Sequence, residues 1–293
     1  MLLPSNKNNK TNLYLCKTQI VQNSTKFAKN YQKVTAKIYY HVEVTMKKII
    51  TSIAVSILCI TLTCCIGGYS QVSAQNRKIP IYCVDRSDNR VAISFDAAWG
   101  ADKTRQIMDV CESYNVKATF FLVGFWIDKY PEMVKEIDAR GFEIGTHSET
   151  HPQMSKLSAE KCRQELTSSC QKIYQLTGKM PKLFRPPFGD YNNQLIEIAT
   201  ELGLYTIQWS VDSLDWKGLS ARQIAERVQK SQSGDIILCH NNSDHIVEAL
   251  PLIFEALKLK KLQFCPIGEL IYTDNYHIDN TGKQILNLPS NNQ

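Results

Sequence analysis

Acidic residues are almost missing from the start of this 293-residue chain: up to Lys48 there is one, Glu43, against nine lysines. That segment supplies +8 (nine minus one) of a formal net charge of +6, so the 245 residues that follow sum to −2. A basic balance confined to one end gives no ground for nucleic-acid binding by the folded part. Cysteine is plentiful, at ten, but the CxxC spacing of thiolate metal sites and redox motifs is absent. Cys16, Cys59, Cys64 and Cys65 precede the domain; Cys83, Cys111, Cys162, Cys170, Cys239 and Cys265 are scattered through apolar stripes and runs. Buried free thiols are therefore expected, with one disulfide left open. Linkers, repeats and low-complexity tracts are also missing between Val91 and Tyr272, which argues for one domain there.

Residues 1–45 are rich in Asn, Lys and Thr without a sustained apolar period, and are expected to be a disordered or dispensable extension. At Met46 the pattern changes. Met46-Lys47-Lys48, the apolar run Ile49 to Ile66, Gly67-Gly68 and Val72-Ser73-Ala74 follow the charged, apolar and small-residue order of a secretory signal across residues 46–74. The run, about eighteen residues, is also long enough for an uncleaved membrane anchor. Lysines on its N-terminal side predict export of the C-terminal domain under either reading, to the extracellular or cell-wall side. Residues 75–90 are expected to be a linker, and the polar residues 273–293 a loose tail.

From Val91 the chain alternates short apolar runs with helical periods. Strands are predicted at Val91–Phe95, Ala118–Val123, Phe142–Thr146, Lys182–Phe184, Leu204–Trp209, Asp235–Cys239 and Gln263–Pro266. Helices are predicted over Asp102–Tyr114, Pro131–Arg140, Ser158–Gly178, Asn192–Leu202, from Ser220, and Ile246–Lys260, with Gly141, Gly178 and Gly203 as stops. The alternation implies parallel strands with crossover helices. Seven units in about 180 residues point to a distorted (β/α)7-type barrel rather than a full eightfold one.

Reactive groups in such folds gather at the carboxyl ends of strands. Asp96 follows the first strand, His147 and His151 the third, Arg185 the fourth, Asp212 and Asp215 the fifth, and His240 the sixth. Each has an ordinary explanation taken alone: a cap, a surface ion pair, a satisfied loop histidine. Five strand ends together at one rim argue for a hydrolase. Two histidines could hold a metal that polarises a carbonyl, Asp96 could take a proton from water, and His240 could protonate a leaving nitrogen. Arg185 would keep Asp96 charged and Asp215 would raise the pKa of His240. Phe125, Trp126, Phe188, Tyr191 and Trp216 could stack on sugar rings.

From Val91 to Tyr272 the motifs resemble those of the polysaccharide deacetylases with the NodB-homology domain, carbohydrate esterase family 4. Ser94-Phe95-Asp96-Ala97-Ala98-Trp99-Gly100 stands where that family has TFDDG. His147-Ser148-Glu149-Thr150-His151, Arg185-Pro186-Pro187-Phe188-Gly189, Asp212-Ser213-Leu214-Asp215-Trp216 and Leu238-Cys239-His240 follow in the family's order. The resemblance implies N-deacetylation of amino-sugar polymers, peptidoglycan or chitin-like, by a divalent metal, zinc being expected and cobalt or manganese the alternatives. It makes Asp96 the base, His147 and His151 metal ligands, Arg185 the partner of Asp96, Asp215 the tuner of the acid His240, and the Phe188 N–H an oxyanion donor. It also marks a departure: a second aspartate, usually the third metal ligand, is Ala97 here, leaving Asp96 itself, Asp102 or water to complete the site. The FDxxWG variant is similar to a sporulation-associated bacterial subgroup. The rival expectation is a glycan-binding protein on a deacetylase scaffold; a barrel amidase acting on another substrate is a third.

Overall fold

The structure is a computed structural model that describes the backbone of residues 8–66 and 77–287, and the side chains of that range except 8–24, Phe27 and 58–66. It divides into two units, residues 1–75 and 76–293.

Among its described residues the first unit is one helix, α1 (Asn8–Ile66). Over residues 8–45, expected to belong to a disordered or dispensable extension, the structure describes continuous helix. The physical reason is legible: no proline or glycine occurs between Ser5 and Ile66, so nothing breaks the helical hydrogen-bond ladder before Gly67. Its described side chains are nearly all exposed, with Glu43 and Lys47 paired across one turn at 2.8 Å. Among the described residues no helix is long and apolar enough to cross a membrane. The side chains of 58–66, half of the apolar run, and residues 67–76, the end of the expected signal, lie outside the described residues.

The second unit runs β1 (Cys83–Val84), β2 (Arg90–Ala97), α2 (Thr104–Ser113), β3 (Thr119–Leu122), α3 (Gly124–Lys129), α4 (Pro131–Ala139), β4 (Glu143–Thr146), α5 (Ala159–Thr177), β5 (Leu183–Phe184), α6 (Asn193–Glu201), β6 (Tyr205–Thr206), β7 (Val211–Asp212), α7 (Ala221–Val228), β8 (Ile236–His240), α8 (Ile246–Leu259), β9 (Gln263–Phe264), α9 (Ile267–Leu270), β10 (Tyr276–Ile278) and β11 (Lys283–Leu286). The main sheet has the order β6-β5-β4-β3-β2-β8-β7, every pair parallel, with β9 also pairing β2. It curls into a half barrel whose edges are β6 and β7, the distorted barrel expected. The helix starts behave as read: Ser158, Asn192 and Ser220 side chains accept from backbone N–H groups of the first turns, Ser220 in a full capping box with Gln223.

Strand β2 is the centre. Its two faces follow the period of two. Val91, Ile93, Phe95 and Ala97 pack in the large core against the helices, while Ala92, Ser94 and Asp96 lie on the other face. Buried alternation in one strand thus sends one face to the core and delivers Asp96 to the inside of the barrel rim. Gly145 of β4 permits the close strand approach beside it: an added Cβ would lie 2.6 Å from Phe121 ring carbons and 3.0 Å from the Leu183 carbonyl oxygen. Gly145→Ala should therefore destabilise the protein by about 1–3 kcal/mol, as overpacking does, read as a lower urea midpoint at unchanged slope.

Two segments differ from expectation. Residues 77–90 are not a free linker, since Ile81 and Val84 are buried and β1 pairs with β11. The tail to residue 287 is not loose, because β10 and β11 form an antiparallel hairpin that joins β1 in a three-stranded sheet. The hairpin turn is held by Asp279, whose Oδ1 accepts from Thr281 N at 2.8 Å, Thr281 Oγ1 at 2.7 Å and Lys283 N at 3.0 Å. Buried Gln284 then exchanges two hydrogen bonds with the Tyr272 backbone. All six cysteines described are free, five of them buried.

Candidate active site

The carboxyl ends of the parallel strands converge on a cleft of about 570 Å³, lined among others by Asp96, His147, His151, Asp212, Trp216 and His240. Two neighbouring strands set its core, because Asp96 of β2 is in direct register with His240 of β8. The loops that complete it hold non-glycine residues at positive φ: Ser148 (69°), His151 (59°), Phe188 (59°) and Leu214 (52°). Such strained backbone persists only where the surroundings fix it. After β4 that support is Glu165 of α5, whose carboxylate accepts from the N–H groups of Glu149 and Thr150 and from the Thr150 hydroxyl.

Asp96 is nearly buried. Its Oδ1 accepts from Arg185 Nη1 at 2.8 Å, and the same nitrogen donates to Ser94 Oγ at 2.8 Å. Arg185 Nη2 donates to the Gln208 carbonyl, and the guanidinium lies 4.1 Å from the Phe121 ring centroid. Burial alone would push the Asp96 carboxyl up, but the neighbouring positive charge, Arg185 foremost, holds it below the usual carboxylate range. Burial also pulls the fully buried Arg185 down; a guanidinium with a carboxylate at hydrogen-bond distance stays charged all the same.

At β8, His240 Nδ1 meets Asp215 Oδ1 at 2.7 Å, and the His240 N–H donates to Asp215 Oδ2 at 2.8 Å. Ser243 Oγ donates to the Asp215 carbonyl and fixes its loop. Burial pushes His240 down, but the bond and charge of Asp215, then Asp96, more than reverse this, so its pKa is raised. The ring thus keeps its second proton to a higher pH than an ordinary histidine, and its side chain lines the cleft.

The two remaining histidines are set the other way. Burial lowers His147, and lowers His151 to about 4, so both are neutral near pH 7. His147 Nδ1 donates to the Arg185 carbonyl at 2.7 Å, which leaves its Nε2 with a lone pair. That Nε2 lies 3.4 Å from the ionised Asp96 Oδ2. Two buried acceptors facing each other are unfavourable unless a cation sits beside them, and an imidazole oriented through its far nitrogen is the usual setting of a metal ligand. His151 presents a second neutral ring with its centroid 4.9 Å from that of His147. The pair fits a divalent ion as nitrogen ligands, but among the described residues no cluster of three or more His, Cys, Asp or Glu could hold one. Ala97 lies in the helix-side core, on the opposite face of β2 from Asp96, and it is Ala98 that lines the cleft. Asp102, considered as a replacement ligand, is exposed and outside the cleft lining.

Asp96, Arg185, His147, His151, Asp215 and His240 are thus brought together, as are Phe188 and Trp216 at the cleft. Tyr191 is not: its hydroxyl meets Tyr82 and Arg77 instead. Trp126 is buried, with Nε1 donating to the Gly100 carbonyl at 2.6 Å, and so braces the motif rather than touching a ligand. Sequence reasoning missed Trp99, Trp209 and Asn242 as lining residues. For Trp99 the signal was present, a large aromatic in a loop directly after a strand-end carboxylate.

A family model described as polysaccharide deacetylase matches residues 84–207. A Bacillus cereus peptidoglycan-N-acetylglucosamine deacetylase is 36% identical over 188 residues, covering 62% of this chain and 68% of that protein. The peptidoglycan-N-acetylglucosamine deacetylase PgdA of Listeria monocytogenes is 32% identical over 194 residues, covering 66% of this chain but only 41% of its own length. Among solved structures, a protein from Bacillus anthracis described as a CE4 family pseudoenzyme superposes with a TM-score of 0.63 at 32% identity, covering 65% of this chain and 68% of that one. With the half-barrel fold and the converging motif residues, these likenesses establish that the chain belongs to the polysaccharide deacetylase family, carbohydrate esterase family 4.

Proposed function

We propose that this protein is an exported, metal-dependent N-deacetylase of amino-sugar glycans, with peptidoglycan as its substrate and a role in sporulation. The observation that carries the reading is the opposite electrostatic setting of two neighbouring strand ends, the Asp96 carboxyl held low by Arg185 and the His240 pKa raised by Asp215. A hydrolase that attacks an amide with water needs that pair: a base for the water and an acid for the leaving nitrogen. A divalent ion on His147 and His151 would polarise the acetamide carbonyl. The Asp96 carboxylate takes the proton from water, and His240 Nε2 delivers one to the departing amine. The Phe188 N–H serves as an oxyanion donor, of a kind that contributes about 3 kcal/mol.

The names of the relatives support peptidoglycan as substrate. Export and anchoring are supported by the signal-like order from Met46, and the sporulation role by the Phe95-Asp96-Ala97-Ala98-Trp99-Gly100 variant. Zinc is the metal proposed, with cobalt or manganese as alternatives.

A second reading, a glycan-binding protein without turnover, is favoured by one observation: among the described residues no third His, Cys, Asp or Glu joins the histidines in a group that could hold a metal. Metal analysis and acetate release on the same sample separate the two. The deacetylase reading expects about one bound ion per chain, lost in His147→Ala, and acetate released from N-acetylated peptidoglycan. Saturable glycan binding with neither ion nor acetate, under any of the three metals, would establish the binding protein.

A further inference from the structure

We infer that Glu165 of α5 is a positioning residue for the histidine pair: its carboxylate holds the turn that carries His151 to His147, and through that turn it sets the affinity of the pair for a metal ion. This rests on the reading of His147 and His151 as metal ligands.

The two histidines do not depend on the turn equally. His147 follows β4 directly and is held by backbone and ring alike, its N–H donating to the Leu122 carbonyl of β3 at 2.9 Å and its Nδ1 to the Arg185 carbonyl at 2.7 Å. His151 is half-buried and lies at the far end of a turn that passes through positive φ at Ser148 (69°) and again at His151 itself (59°). Left-handed backbone at a residue other than glycine is a minor conformation that its surroundings must impose. The ring of His151 is therefore only as well placed as the turn is fixed.

What fixes it can be followed atom by atom. Two carbonyls of the turn are taken by the start of α3, where the Gly124 N–H donates to Ser148 at 2.9 Å and the Phe125 N–H to Glu149 at 3.2 Å. The Ser148 N–H donates to Thr146 Oγ1 at 3.2 Å and the His151 N–H to Ser148 Oγ at 3.0 Å. Between them, the N–H groups of Glu149 and Thr150 both donate to Glu165 Oε2, at 2.9 and 2.8 Å, and the Thr150 hydroxyl donates to Oε1 at 2.6 Å. Successive N–H groups aimed at one anion form a strong, charge-assisted grip. The mount is firm, since α5 is capped by Ser158 and buries Cys162, Leu166, Cys170 and Ile173. Ser169 and Lys172 follow Glu165 by four and seven residues, on the same helix face. Ser169 Oγ is bonded to Thr146 Oγ1, and Lys172 Nζ to the Glu149 carboxylate. Without Glu165, two adjacent N–H groups would turn to water and the left-handed residues would relax to commoner backbone angles. His151 would then leave its place beside His147, while His147 stayed on its strand end.

The test is a titration of the full chain with zinc against a chromophoric chelator, read beside the unfolding midpoint of the metal-free protein. Glu165→Ala should weaken zinc binding by about tenfold to a hundredfold, the range for groups that orient metal ligands. Glu165→Gln should recover most of the loss, because its amide oxygen can accept from both N–H groups while its NH2 donates to the Thr150 hydroxyl. In a His151→Ala background the effect of Glu165→Ala should vanish, since a residue acting through His151 has nothing left to place. Wild-type zinc affinity in a Glu165→Ala protein that is merely less stable would overturn the inference and leave the metal reading intact. A loss that persisted undiminished without His151 would overturn it too. Should Glu165→Ala fail to fold, Thr150→Val carries the test: it removes only the hydroxyl donor to Oε1, so a loss of about threefold is expected and no loss would overturn the inference. A wild-type protein that bound none of zinc, cobalt or manganese would overturn this inference and the metal-dependent reading together.

Discussion

Asp96→Asn should lower acetate release about a thousandfold, within the range a positioned general base contributes, while the protein, less stable for the loss of the charge beside Arg185, still folds and binds glycan. The amide is close in size to the carboxylate and can still accept from Arg185 Nη1 through its oxygen. What it cannot do is take a proton from water at neutral pH. Single-turnover assays on N-acetylated peptidoglycan would measure the loss; retention of more than a tenth of the activity would remove Asp96 from the role of base. The pH profile gives a complementary check on the acid. His240 must be protonated to act, and its folded pKa is raised by Asp215 despite burial. Activity should therefore persist above the ordinary histidine range and fall as pH rises through that raised value. Asp215→Asn removes the charge that raises it, so the alkaline limb should move to lower pH. An unmoved limb would assign the titration to another group.

Replacing Arg185 with Met should cost about 3–5 kcal/mol of stability, since removing one partner of a buried ion pair leaves the other charge without compensation. The pair is among the most enclosed in the molecule, with Arg185 at 0% side-chain exposure and Asp96 at 8%. Methionine fills much of the volume and keeps the contact with Phe121, so the loss reads mainly on charge and hydrogen bonds. The sign with pH is fixed by Asp96. Its folded pKa is depressed in the wild type, so its contribution is present above the unfolded carboxylate pKa and is lost as pH falls toward the folded value. In Arg185→Met that support disappears, so the difference between the two proteins should be largest near neutral pH and shrink in acid. Urea unfolding at several pH values would show it. A difference below about 1 kcal/mol at pH 7 would mean that Asp96 accepts a proton when its partner leaves, at little cost to the fold.

The exposed ion pairs of α2 and α4 invite no comparable forecast. Arg140 bridges Asp109, Glu112 and Glu136, and Arg105 shares Glu136, but Asp109, Glu112 and Arg105 are open to solvent, which screens their attraction.

The sequence by itself determined most of the alternation of strands and helices from β2 to β9, though not β7 or α3, the capping residues of α5, α6 and α7, and the strand ends that carry Asp96, His147, Arg185 and His240; it read Asp215 onto the end of the Leu204–Trp209 strand, whereas the fold sets it after β7 at the other edge of the sheet. Each of these is a local signal: apolar periodicity, a polar cap three residues before a backbone donor, an ionisable residue directly after a buried run. It also held the reason for α1, an unbroken stretch without proline or glycine, although composition pointed to disorder. The tertiary structure decided the rest. The β10–β11 hairpin needed β1 as a partner from nearly two hundred residues away in the chain, and pairing at that separation leaves no periodic trace in polar segments. Tyr191 and Trp126 looked equivalent to Phe188 and Trp216 in one dimension, yet two point away from the cleft and two toward it. The histidine pair shows the division most clearly. Sequence placed both at the rim; only the fold set His147 against Asp96 through the Arg185 carbonyl and turned Ala97 into the core, because the period of two in β2 sends adjacent residues to opposite faces.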